Sequence, residues 1–331
     1  MAKKTAKKMA KKLTKKIAKR APSSGVKYLA AIDIGSNAIR MVIAEHSYQG
    51  LKMLKKYRFP IRLGADVFHT GQISPKNMKL SARTFRKFKE LTEKFGIHHV
   101  RAVGTSALRE AKNGKAFVEL IRRKSHIKIE IIDGVEEGRI IYQAIRREVN
   151  LEGRHALLID IGGGSVELTF TENEMMISTQ SFPFGTVRTL EMMKRKKLEE
   201  NQLPLVIGDY LEPLMHFIQS QAPGHTLDFA VGTGGNLETI GKLKPLLLGS
   251  PSRTFLTFKE LGEIISRLQK MSIKDRIEKL DMRPDRADVI LPAALVVHTV
   301  MRQAGLDKLL IPHVGLKDGL IWALANRQVF K

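Results

Sequence analysis

The chain has 331 residues, a formal net charge of +24, 43% hydrophobic residues and no cysteine. That length and apolar content allow two domains with sizeable cores, and the lack of thiols excludes disulfides and thiol catalysis and fits a reducing cytoplasm. No apolar run reaches the roughly 18 residues of a membrane span, and so basic a chain suits either a polyanionic ligand or a highly solvated surface.

In chain order, the first twenty residues hold ten Lys or Arg and no acid. Lysine pairs recur every four residues from Lys3 to Lys16, which would align Met9, Leu13 and Ile17 on one narrow seam of an induced helix. Such a helix could form on polyphosphate, nucleic acid or an anionic membrane. Free in solution, mutual repulsion and scant apolar surface predict a disordered arm over residues 1–25. It lacks the apolar h-region of a secretory signal.

From Lys27 to Phe59 the pattern predicts three strands in a meander. Ser74 to Phe95 predicts a helix with Ser74 as N-cap and Pro75 at the first helical position. A strand over His99–Val103 ends at Gly104-Thr105-Ser106. A helix over Asn113–Arg123, a strand over Ile127–Ile132, a turn at Asp133-Gly134 and a helix over Val135–Val149 follow. A second strand set spans Ala156–Phe182, and helices follow at Val187–Arg195 and Gln202–Gln221. Leu227–Val231 reads as a strand running into Gly232-Thr233-Gly234-Gly235, continued by a helix to Leu243. Helices at Phe258–Met271, Asp288–Ala304 and Leu316–Gln328, with a short strand at Lys308–Ile311, complete the pattern. The alternation argues an α/β fold. The repeated strand–turn–strand start argues two similar halves around a cleft, assigned to residues 26–150 and 151–314, with 315–331 returning to the first half. Trp322 and the apolar residues of the last helix are expected in the core. His98, His99 and His313 are read as structural, because neighbouring strand residues point to opposite faces.

The two strand–turn–strand starts carry the chemistry. The first turn is Asp33-Ile34-Gly35-Ser36-Asn37, and the second is Asp160-Ile161-Gly162-Gly163-Gly164-Ser165. Glycine lets such a turn present its N–H groups to an anion with no Cβ in the way. An aspartate at the strand end can hold a hydrated divalent cation beside that anion. One such loop alone is an ordinary turn about as often as a site. A duplicated one suggests two turns gripping one phosphate chain.

The three glycine turns are similar to the phosphate and adenosine loops of the actin, Hsp70 and sugar-kinase superfamily. Val103 to Glu110, Asn113-Gly114, Val135 to Arg139 and Asp160 to Glu167, in that order, resemble the Ppx/GppA phosphatases. These are exopolyphosphatases and guanosine pentaphosphate phosphohydrolases. The resemblance runs from about Lys27 to the C-terminus. It implies two actin-like (ribonuclease H-like) α/β domains with the active site between them, in the short form that lacks an HD-type domain. The family's Ser-Asp-Gly run near the end is absent, and Lys317 stands where a basic residue is expected.

The resemblance implies roles by residue. Glu137 takes the place of the catalytic glutamate, though Glu136 and Glu137 would also complement a helix dipole. Arg109 is the cation for the transferred phosphoryl, its alternative being a surface ion pair with Glu110 or another acid. Gly35, Ser36 and Asn37, with Gly162, Gly163, Gly164 and Ser165, would cradle phosphoryl oxygens. Thr105 and Ser106 would donate hydroxyl bonds to phosphate or cap the next turn. Gly232, Thr233, Gly234 and Gly235 match the nucleotide loop and would hold distal phosphates. Asp33, Asp160 and Glu167 would ligate Mg²⁺ or another divalent cation such as Mn²⁺. The expected activity is Mg²⁺-dependent release of terminal orthophosphate from inorganic polyphosphate in the cytoplasm. The alternatives are the same chemistry on guanosine pentaphosphate, a non-catalytic polyphosphate or alarmone binder, or a kinase or ATPase of the wider superfamily. The resemblance also allows a homodimer.

Overall fold

A computed structural model describes residues 26–221 and 226–329; the basic arm over residues 1–25 lies outside the described residues. The first half opens with the strands β1 (Lys27–Ile34), β2 (Ile39–Ser47) and β3 (Gly50–Phe59). They form the expected antiparallel meander. Helix α1 (Leu63–Thr70) leads to α2 (Pro75–Lys94), where Ser74 Oγ accepts the Asn77 N–H at 3.2 Å and Pro75 fills the first position. This N-cap satisfies one of the helix's orphan donors. Phe85 and Phe88 on its inner face are fully buried. Strand β4 (His99–Gly104), α3 (Ser106–Glu110), α4 (Gly114–Ser125), β5 (Ile129–Ile131) and α5 (Gly134–Ile145) complete this half. The sheet order is β3-β2-β1-β4-β5, with β4 parallel to both β1 and β5.

The second half repeats the plan. Strands β6 (His155–Ile161), β7 (Val166–Glu172) and β8 (Met175–Phe182) form a second antiparallel meander. Helices α6 (Thr186–Lys196), α7 (Leu203–Tyr210) and α8 (Glu212–Gln221) follow, then β9 (Phe229–Thr233), α9 (Gly235–Leu248) and β10 (Phe255–Thr257). After these come α10 (Phe258–Gln269), α11 (Ile273–Lys279), α12 (Pro284–Ala287), α13 (Ile290–Gln303), β11 (Lys308–Leu310) and α14 (Leu316–Val329). The sheet order is β10-β11-β9-β6-β7-β8, with β9 parallel to β6 and β11.

Two expectations need correction. The single helix foreseen over Gln202–Gln221 is two helices, α7 and α8. Pro213 has no N–H to continue the ladder of the preceding turn, so the chain restarts there. Trp322 is not a core residue. It is partly exposed, with the Arg147 guanidinium 4.1 Å above its ring, while Leu320, Ile321 and Ala325 of the same helix are buried.

One hydrophobic cluster joins the halves and fixes the site. Leu29 and Val42 of the first sheet, Ile140 and Ile145 of α5, Leu158 of the second sheet and Leu320 and Leu324 of α14 pack together. Helices α5 and α14 therefore lie in a core to which both sheets contribute. Their crossing is close enough that a Cβ on Gly319 would overlap the Ile140 carbonyl oxygen. On its other side α5 meets β8, where Gly138 leaves room for Thr179. This wedge carries Glu137, one turn into α5, to a buried place in the wall of the cleft.

Candidate active site

The two glycine turns close in the same way. Gly35 donates its N–H to the Ala38 carbonyl at 3.2 Å, and Gly162 donates to the Ser165 carbonyl at 3.0 Å. They also meet: a Cβ on Gly163 would stand 3.1 Å from Ser36 Cβ and 3.2 Å from the Asn37 nitrogen. A Cβ on Gly164 would overlap Ser106 Oγ and reach to 2.6 Å from Ser36 Oγ. Glycine is required at these positions for close approach. Both turns, with Thr105, Ser106, Glu137, Gly234, Gly235 and Lys317, line one cavity of about 580 Å³. Ser36 Oγ is buried there without a hydrogen-bond partner.

The aspartates at the strand ends have opposite surroundings. Asp33 lies across β1–β2 from Arg40, whose Nη1 donates to Asp33 Oδ2 at 2.8 Å. Asp160 occupies the same place in the second hairpin but lies across from Glu167. Glu137, Asp160 and Glu167 each offer a carboxylate oxygen within 4.8 Å of the others. Asp33 stands beside this group, held by Arg40.

Burial above all, then the charges of Glu167 and Asp160, hold the Glu137 carboxyl well above its ordinary range, against the pull of Arg109. Burial and the charge of Asp160 push Glu167 up to about 7, opposed by the hydroxyls of Ser165 and Ser181. Burial also raises Asp160, against a hydrogen bond from Thr233. Glu137 Oε2 and Glu167 Oε2 are both buried with no hydrogen-bond partner among the described residues. Three clustered carboxylates with unused oxygens and a deficit of positive charge fit a hard divalent cation.

Arg109 Nη1 donates to the Ile132 carbonyl at 2.7 Å and lies 3.7 Å from Glu137 Oε2. Glu110, the alternative partner foreseen for Arg109, pairs with Arg188 instead. Arg188 Nε also donates to the Gly164 carbonyl at 2.8 Å, tying the second turn to α3 of the first half. Thr105 does not cap α3 through its side chain, and Ser106 Oγ donates to Glu110 Oε1 at 2.9 Å. Glu136 accepts from Arg139 at 2.7 Å on the exposed side of α5, away from the carboxylate group. Gly232 and Thr233 end β9, and Gly234 has φ +91° with the Ile161 carbonyl 2.9 Å from where its Cβ would be. Lys317 is paired with Asp318, which also accepts the Gly315 N–H at 3.0 Å.

Sequence reasoning missed the cations of the cleft. Arg40, Lys56, Arg58, Lys242, Arg283 and Arg286 line the same cavity. Arg40 lies directly opposite Arg58, and Val42 opposite Lys56, so β2 and β3 turn one face of positive charge to the cleft. Like charges opposed across a ladder are destabilising, and here Asp33 offsets Arg40 and Asp285 offsets Arg58. Burial, then the charges of Arg40, Arg58 and Arg283, lower Arg286 to about 9. The alternation of Lys56 and Arg58 along one strand was the available signal.

Two lobes of similar topology, each bringing a glycine turn to one cavity beside buried carboxylates, define an actin-like two-domain α/β protein. The chain belongs to the Ppx/GppA phosphatase family, whose model matches residues 42–328. Membership makes it a phosphoanhydride hydrolase. It is similar to "Exopolyphosphatase 1" of Mycobacterium tuberculosis, 24% identical over 302 residues that cover 88% of this chain and 87% of that one. It is also similar to the "Guanosine-5'-triphosphate,3'-diphosphate pyrophosphatase" of Aliivibrio fischeri, 27% identical over 302 residues. That match covers 90% of this chain but only 59% of the longer relative. An exopolyphosphatase structure from Cytophaga hutchinsonii shares the fold, with a TM-score of 0.82, 22% identity and coverage of 91% of this chain and 98% of that one.

Proposed function

We propose that the cleft removes terminal orthophosphate from inorganic polyphosphate, with Mg²⁺ or a similar cation held by Asp160 and Glu167, and with Glu137 beside it activating water. The observation that carries this reading is one cavity lined both by Glu137 and Asp160 of the buried carboxylate cluster and by a row of cations. Such a cavity suits an anion much longer than one phosphate. Asp33, salt-bridged to Arg40, acts near the cation by orienting Arg40. The cation, when bound, screens the charge of the phosphoryl group and of the carboxylates. The turn N–H groups around Ser36, Asn37, Gly163 and Gly164 hold the phosphoryl oxygens in place. Arg109 balances charge on the transferred group. Glu137 takes a proton from water as the new P–O bond forms. The bridging P–O bond breaks, and its electron pair leaves on the shortened chain.

Guanosine pentaphosphate is the second substrate reading. Leu243, Leu246 and Met282 are apolar residues among those lining the cavity, against which a base could rest. Phosphate release from long polyphosphate, short polyphosphate and guanosine pentaphosphate, measured side by side with and without Mg²⁺, separates the two. In this assay Glu137→Gln lowers kcat at least about 100-fold and leaves polyphosphate binding largely intact, because a base acts only in the transition state. A Gln variant with near wild-type turnover removes Glu137 from that role.

We assign the basic arm to the same class of ligand, with nucleic acid as the other polyanion it would serve. Each arm–phosphate contact releases counterions, so the gain in affinity falls steeply with salt. Removing residues 1–25 weakens binding to long polyphosphate at low salt and leaves kcat on short chains unchanged. Equal affinities at low salt would discard the arm as a ligand-binding element. The cysteine-free composition suits a reducing cytoplasm, and no helix among the described residues is long and apolar enough to cross a membrane.

A further inference from the structure

Four polar residues form a straight row across the second sheet. Thr233 on β9 lies opposite Asp160 on β6, Asp160 lies opposite Glu167 on β7, and Glu167 lies opposite Ser181 on β8. Directly opposed residues share one face of a sheet, so the row presents two carboxylates flanked by two hydroxyls. Each hydroxyl donates to its neighbour. Thr233 Oγ1 donates to Asp160 Oδ1, and Ser181 Oγ donates to Glu167 Oε1 at 2.7 Å. Glu167 Oε2 is left buried with no hydrogen-bond partner among the described residues.

Ser181 has a second contact. A Cβ on Gly134, the first residue of α5, would overlap both Cβ and Oγ of Ser181. The serine therefore touches Glu167 of the second half and the helix start that brings Glu137 from the first. Two opposed carboxylates repel each other, and each can turn about its terminal bond to relieve the repulsion. A hydroxyl committed to one oxygen stops that rotation and leaves the other oxygen to face the neighbouring acid.

We infer that Thr233 and Ser181 are positioning residues, hydroxyl bookends that aim one oxygen of Asp160 and one of Glu167 at a divalent cation. This rests on the cation reading given above. Partners that orient metal ligands typically set metal affinity by about 10–100-fold.

The test is direct Mn²⁺ binding, followed by electron paramagnetic resonance on the full chain without substrate. Ser181→Ala keeps the Cβ that packs on Gly134 and removes only the hydroxyl. Thr233→Val keeps the shape and removes the donor. Each is expected to weaken Mn²⁺ binding about tenfold or more and to raise the Mg²⁺ concentration needed for half-maximal phosphate release. For Ser181→Ala, KM for polyphosphate at saturating Mg²⁺ is expected to stay as in wild type, and Thr233→Ser is expected to keep the Mn²⁺ affinity that Thr233→Val loses. Folded Ser181→Ala and Thr233→Val proteins with wild-type Mn²⁺ affinity overturn the inference. A wild-type chain that binds no Mn²⁺ overturns the cation reading beneath it, which is a different result. If Ser181→Ala does not fold, the Val and Ser variants at position 233 decide the matter alone.

Discussion

Asp33 and Asp160 hold equivalent places in the two hairpins, and the residue across the ladder decides what each can do. Arg40 neutralises Asp33, whereas Glu167 adds a second negative charge beside Asp160. Among the described residues no ion pair reaches Asp160 or Glu167, and Arg40, Lys317 and Arg109 act on them only through space, so the pair's protons respond to pH when no cation is bound. Glu167, raised to about 7 by burial and the charge of Asp160, binds a proton in the folded chain over a range where the unfolded carboxyl has lost it. A group with its folded pKa raised gives stability that is complete below the unfolded value, near 4.3, and that is lost as pH rises through about 7. In EDTA the thermal midpoint is therefore expected to fall between these values by more in wild type than in Glu167→Gln, whose amide carries no charge. Saturating Mg²⁺ should remove most of the difference, because the cation then supplies the missing charge. Parallel midpoint-against-pH curves for the two proteins in EDTA would show that Glu167 does not titrate there.

At the scale of elements, legibility followed the range of the cause. The hairpins around Gly35 and Gly162 were readable because a glycine turn between two apolar runs is a local signal. Helix α2 was readable for the same reason, with its cap and its Phe85–Phe88 face all within one segment. Helix α1 was not. It is 8 residues long, it has no side-chain cap, and it is held by the Gly64 N–H donating to the Ser36 carbonyl at 2.8 Å, a contact with the first turn. The signal for α11 was present and overlooked: Ser272 and Asp275 form a reciprocal capping box. The glycine turns and the strand-end place of Asp160 could be read from spacing, and Glu167, Glu137 and Arg109 entered only through resemblance. The Thr233–Asp160–Glu167–Ser181 row could not be read at all, because it needs the order in which β9, β6, β7 and β8 pair. Lys56 and Arg58 share a strand face by periodicity, but which face looks into the cleft depends on the second half of the molecule.

Over the whole molecule, a small set of charged bridges holds the two lobes around the substrate cavity. Arg58 pairs with Asp285, and Arg62 grips Asp288 through both terminal nitrogens while its Nε donates to Asn37 Oδ1 at 2.8 Å. Asn37 in turn donates to the Asp285 carbonyl at 3.0 Å. Arg62 thus links the first glycine turn to the α12–α13 segment of the other lobe. On the proposed reading both turns face one phosphate chain, so this bridge should favour the binding-competent arrangement. Arg62→Met keeps most of the side chain's bulk and removes every charged contact. Loss of a hydrogen bond to a charged group costs about 1.5–3 kcal/mol, and 1.4 kcal/mol is about tenfold in an equilibrium. If that cost falls on the closed form, KM for polyphosphate should rise roughly tenfold or more. The kcat should change much less, because the variant, once closed on substrate, retains Glu137, Arg109 and the carboxylate row. Small-angle scattering of the substrate-free chain should show a larger radius of gyration for Arg62→Met than for wild type. An unchanged KM together with an unchanged radius would mean that the Arg62 bridge merely decorates lobes held together by the shared α5–α14 core.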